Sequence, residues 1–286
     1  RQRRMFYRER ASVVATLVVL GLILDVFLQL PIWMRDLTVL GSPLTISISQ
    51  TVLMSALLVG IVSTGTDVIV RSHPAARRIE ARHSFVTWTL PALTVLLAVV
   101  LLPQAPTLLY RIAGMLLTGL ILILVISAEY DTVDTTGRRY LAARLSLNAW
   151  AYLLALVAFI LIYSAKARSL ISATQVTLIS TLLALELLRS AGRGFGRTAL
   201  YALIAGLITG EIIWAMNYWR IPGVIGGLLL LLGFYVATGL ANQQLQGRLT
   251  RRVLVEYAVV ALIGLVILLQ FQVVQGGSYG LTFPPS

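Results

Sequence analysis

Residues 107–139 read TLLYRIAGMLLTGLILILVISAEYDTVDTTGRR. No charge interrupts the stretch between Arg111 and Glu129. About 20 apolar residues suffice for a helix to cross ~30 Å of hydrocarbon. A membrane β-strand would alternate polar and apolar residues over ~10 positions, and this run does not alternate. Inside lipid the backbone must satisfy itself, which a helix does within one segment. The stretch is therefore read as one transmembrane helix, with Tyr110 and Arg111 near one water interface and the Glu129–Arg139 segment at the other.

Working outward, the same pattern recurs at 12–33, 46–68, 85–102, 107–128, 146–164, 169–188, 198–218, 223–242 and 254–273. Pro31, Pro43, Pro74, Pro103, Pro106, Gly137, Gly192, Gly194, Pro222 and Gly247 separate the runs, as residues that stop helices do. Apolar residues make up 58% of the 286 and charged residues 12%, about half the charged fraction of a soluble domain. The expected fold is all-α: a polytopic transmembrane helix bundle of about nine spans, forming one integral membrane domain over 1–286. The first run continues to Pro31 without a small-residue cleavage site, so it is expected to be a span rather than a cleaved signal.

The net charge of +12 comes from 22 Arg and the single Lys166. With the N-terminus in the cytoplasm, the inner segments hold 18 of these 23 basic residues. Each inner segment has at least three, from the basic N-terminus (1–11) to Arg248, Arg251 and Arg252. The outer segments hold only Arg35, Arg111, Lys166, Arg168 and Arg220. The positive-inside rule then places the N-terminus inside and the uncharged tail, 274–286, outside. Trp33, Tyr110, Tyr163, Tyr218 and Trp219 form an outer aromatic belt in this reading. Arg in short loops sets topology, so nucleic acid is not an expected partner; the lipid bilayer is, with other membrane subunits beside it.

Acids inside spans are costly and mark sites by default. Asp67 has Arg71 four residues on, Glu186 has Arg189 three on, and Glu256 has Arg252 four before. Those spacings share a helix face, so these three read as local ion pairs. Asp25 and Glu211 have no such neighbour. Counted from Trp33 and Tyr218, they lie ~12 and ~10 Å below the outer belt at ~1.5 Å per residue. Arg111 enters from the same side, and Gln29, Gln50 and Asn217 lie at compatible depth. The expectation is an interior cluster of Asp25, Arg111 and Glu211, with Arg111 hydrogen-bonded to at least one acid. It serves either as a solute or proton site or as an ion pair joining spans one, four and seven. Gly206 and Gly210 form a GxxxG spacing for close packing against another helix.

No cofactor or metal is expected. Cys is absent, and His73 and His83 lack companion ligands for the three or four a site requires. There is no GxxxxGK[ST], HExxH or GxSxG. The inner loop of Glu129, Asp131, Asp134, Gly137, Arg138 and Arg139 mixes acids and bases and partly matches the opening of the CDP-alcohol phosphotransferase motif. That motif needs two further aspartates, and no Asp follows Asp134. The segment is read as a solvated loop.

Glu211, Trp214, Asn217, Tyr218 and Trp219, then the Gly-rich span to Phe234 and Tyr235, then Gly247, Arg248, Arg251, Arg252, Glu256 and Tyr257 resemble the C-terminal part of an uncharacterised bacterial multi-pass membrane family, a domain of unknown function. The resemblance covers the last quarter to third of the chain and implies a bacterial membrane location without an activity. An accessory or scaffold subunit of a membrane complex is the leading expectation, since no catalytic motif is present. The alternative is a small-solute or proton-coupled transporter using Asp25 and Glu211. A lipid-modifying enzyme ranks last.

Overall fold

The computed structural model describes residues 2–28, 33–39, 42–74, 86–191, 194–219 and 221–276. Among these are nine α-helices and one two-stranded hairpin. Eight helical segments are long and apolar enough to cross a membrane. The chain divides into two compact units, Arg1–Trp150 and Ala151–Ser286.

The first unit contains α1 (Gln2–Phe27), β1 (Trp33–Val39), β2 (Ser42–Ile48), α2 (Gln50–Arg71), α3 (Thr89–Leu101), α4 (Leu108–Asp131) and the first part of α5 (Tyr140–Ser164). Its core interleaves Val18 and Leu22 of α1, Leu58 and Val62 of α2, Val95 and Val99 of α3, and Leu122 and Ile126 of α4. The span containing α3 is the most enclosed, with 61% of its apolar window buried; a helix apolar on all sides belongs inside a bundle. Trp150 Nε1 donates to Thr94 Oγ1 at 2.9 Å, tying α5 to α3.

Several boundaries differ from the sequence reading, two of them around the first loop. Helix α1 ends at Phe27 rather than near residue 33, and α2 begins at Gln50 rather than 46. Between them β1 and β2 pair antiparallel, from Trp33 opposite Ile48 to Val39 opposite Ser42. Thr38, Val39, Thr45, Ile46 and Ile48 favour extended backbone. Pro43 is tolerated because both strands of a two-stranded ribbon are edges. Trp33 therefore starts a strand instead of closing a span. The third difference is at the far end of α4, which runs on to Asp131 and takes Glu129 into the helix.

The second unit contains the rest of α5, α6 (Ser169–Leu188), α7 (Phe195–Met216), α8 (Gly223–Leu245) and α9 (Arg251–Gly276). Phe159 of α5 meets Phe234 of α8 edge to face at 5.8 Å, and both are fully buried. The buried Tyr163 hydroxyl reaches the carbonyl oxygens of Met216 and Trp219, each at 3.2 Å. Gly206 and Gly210 are buried against α6: a Cβ on Gly206 would lie 2.8 Å from the Thr177 carbonyl oxygen, and one on Gly210 3.2 Å from that of Ala173.

Candidate functional site

The last turn of α1 and the first turn of α2 meet because the hairpin returns the chain on itself. Asp25 thereby comes beside Gln50, which is 25 residues later. The Gln50 side-chain amide donates to Asp25 Oδ1 at 2.8 Å and to the Asp25 carbonyl oxygen at 2.7 Å. Arg111 sits one turn into α4, whose first turn Thr107 caps by accepting from the Tyr110 N–H. Its Nη2 donates to the Pro103 carbonyl oxygen at 3.2 Å, while its Nε is buried with no hydrogen-bond partner.

Asp25, Gln50 and Arg111 line one cavity of about 430 Å³. Ser49 and Thr51 add polar groups, and Leu22, Val26, Val99 and Met115 supply apolar wall. No ion pair joins Asp25 to Arg111 among the described residues. Here the expected cluster is corrected. Arg111 bonds a carbonyl rather than an acid, and Asp25 lies in the last turn of α1 rather than deep in a span. The depth count failed because it assumed helix all the way to Trp33.

Glu211 and Asn217 belong to the second unit. Glu211 does not face the interior: it is exposed on α7. The buried stripe of α7 runs through Ala202, Gly206, Gly210 and Ile213, and Glu211 is turned ~100° from Gly210, since an α-helix has ~3.6 residues per turn. Leu207, Ile208 and Trp214 are exposed around it. Asn217 Nδ2 donates to Ser172 Oγ of α6 at 2.7 Å. Gln29 lies outside the described residues.

The three acids with near neighbours form their ion pairs. Arg71–Asp67 measures 2.7 Å, and Arg189–Glu186 and Arg252–Glu256 measure 3.1 Å each. Two charged residues were missed. Glu129 is fully buried and Arg144 nearly so. The signal was periodicity: Met115, Thr118, Leu122, Val125, Ile126 and Glu129 make one buried stripe of α4, so Glu129 continues the core face instead of entering a solvated loop. Past the end of α2, His73 stacks edge-on against Tyr130 at 4.6 Å. Burial pushes its pKa below the ordinary histidine value, opposed by the nearby charges of Asp134 and Asp131. Among the described residues no group of three or more His, Asp or Glu is placed to hold a metal ion.

A family model described as a protein of unknown function (DUF5656) matches residues 30–271. The chain belongs to that family. The match extends well beyond the C-terminal third in which the sequence resemblance was seen. No curated protein and no solved structure matches the chain.

Proposed function

We propose, taking membership of this multi-pass family of unknown function as the premise, that the protein is a non-catalytic subunit of a membrane complex. In this reading α7 is its docking helix. The observation that carries it is Glu211, an exposed carboxylate among exposed Leu207, Ile208 and Trp214. It lies five residues inside the end of α7 at Met216, ~8 Å at ~1.5 Å per residue. A charge facing lipid costs ~2.5–3.5 kcal/mol at a span centre on the insertion scale. The occupant that offsets this is a transmembrane helix of another subunit carrying an Arg or Lys at the matching depth. The Arg alternation supports an orientation with the N-terminus inside, and in that orientation Glu211 lies in the outer half of the bilayer.

The test places a photo-crosslinking residue at Leu207 or Trp214 in native membranes. The reading expects one membrane polypeptide attached through a segment bearing a basic residue. The adduct disappears with Glu211→Lys and returns when the partner's basic residue is made acidic. Adducts with lipid alone, or a protein adduct indifferent to Glu211→Lys, would overturn it. A second reading, a solute site in the first unit, is favoured by the cavity that Asp25, Gln50 and Arg111 line.

A further inference from the structure

We infer that the cavity at the junction of α1, α2 and α4 is a binding site for a small zwitterion, an ammonium joined by a few atoms to a phosphate or carboxylate. The inference deepens the solute-site reading and stands whether or not α7 has a partner.

Asp25 and Arg111 line one cavity without forming an ion pair. Each is held by a neutral group instead, Asp25 by the Gln50 amide and Arg111 by the Pro103 carbonyl. Arg111 also keeps a buried Nε–H without a partner, and such a donor costs free energy until it is bonded. Opposite charges in one cavity that do not neutralise each other are complementary to a ligand carrying both signs. A simple anion would meet Asp25, and a simple cation would meet Arg111.

The end of α1 reinforces the ammonium half of this division. Asp25 lies two residues from the C-terminus of α1, whose partial negative charge favours an ammonium. The volume of about 430 Å³ lies within the ~300–1,000 Å³ of small-molecule sites. Leu22, Val26 and Met115 offer apolar wall for the first methylenes of a chain. One chemistry therefore has two sources, the ethanolamine headgroup of a phospholipid or a free zwitterion in water.

The experiment uses the full chain in nanodiscs made from equal parts phosphatidylethanolamine, phosphatidylcholine and phosphatidylglycerol. Lipids retained after detergent extraction are read by native mass spectrometry. Calorimetric titration with glycerophosphoethanolamine and with glycine forms the second arm, in nanodiscs of phosphatidylglycerol alone. The expected result is at least tenfold preference for phosphatidylethanolamine over phosphatidylglycerol, or saturable binding of a free zwitterion with no binding of acetate or ethylamine. The first outcome assigns a lipid, the second a free solute. Asp25→Asn and Arg111→Gln should each weaken binding at least tenfold. The wild-type selectivity needs no variant, so misfolding of either variant leaves the test intact. Equal retention of the three lipids together with no free zwitterion binding would overturn the inference. So would selectivity that survives in both folded variants. None of these results depends on crosslinking at α7.

Discussion

Replacing Gly206 by Ala should loosen the α6–α7 contact, and a second glycine on the same protein provides the control. The new Cβ would lie 2.8 Å from the Thr177 carbonyl oxygen and 3.0 Å from the Thr181 amide nitrogen. Both are backbone atoms of α6, so no side-chain rotation relieves the contact; the helices must move apart. Overpacking of this kind costs ~1–3 kcal/mol. Against it stands the helix propensity of Ala over Gly, ~1 kcal/mol in a helix interior. Gly60, midway along α2, has nothing within 4 Å of a built Cβ, so Gly60→Ala retains the propensity gain alone. The difference between the two variants isolates the overpacking cost. Gly206→Ala should fall ~1–3 kcal/mol below Gly60→Ala, and Gly206→Leu further still. Equilibrium unfolding by SDS in mixed micelles, followed by tryptophan fluorescence, reads the difference directly. Equal stabilities of Gly206→Ala and Gly60→Ala would refute the claim that backbone proximity, rather than composition, sets the glycine at 206.

Phe234→Ala removes a fully buried ring that meets Phe159 and should cost ~3–5 kcal/mol in the same unfolding assay. Tyr163→Phe strips the hydroxyl from the Met216 and Trp219 carbonyl oxygens; a loss of ~0.5–1.5 kcal/mol is expected, and a neutral result would count against those bonds. Because burial lowers the His73 pKa in the folded state, the unfolded chain binds the proton more readily. Stability is thus full above pH ~6.5, the ordinary histidine value, and falls as pH drops below it; His73→Gln should flatten that slope between pH ~7 and ~5. For topology, a reporter fused after α9 should be active only outside the cytoplasm, and cytoplasmic activity there would contradict the Arg alternation.

What the sequence made legible depends on how far each interaction reaches along the chain. The helices themselves are written in runs of apolar residues, so their existence and order could be read directly. The ion pairs of Asp67, Glu186 and Glu256 span three or four residues of one helix, and spacing alone identifies them. Asp25 is different, because its partner is 25 residues away across a hairpin. The sequence reading carried the first span on to Trp33, where the hairpin begins, and so displaced Asp25 from the last turn of α1 to an apparent depth ~12 Å below the outer belt. Glu211 failed for another reason. The helix it was counted along does run to Met216, but position along a helix says nothing about rotation. The face of α7 is decided by which neighbour the helix can approach most closely, and Gly206 and Gly210 decide it in favour of α6, turning Glu211 outward. Glu129 shows that rotation is sometimes legible after all: the core stripe of α4 passes through it. Counting glycine as a core residue extends the same stripe argument to α7, where Gly206, Gly210 and Ile213 share one face and Glu211 falls on another. Helical periodicity alone then takes Glu211 off the packing face of α7. The two proposed sites lie where helices end and where a packing stripe leaves a charge on the other face.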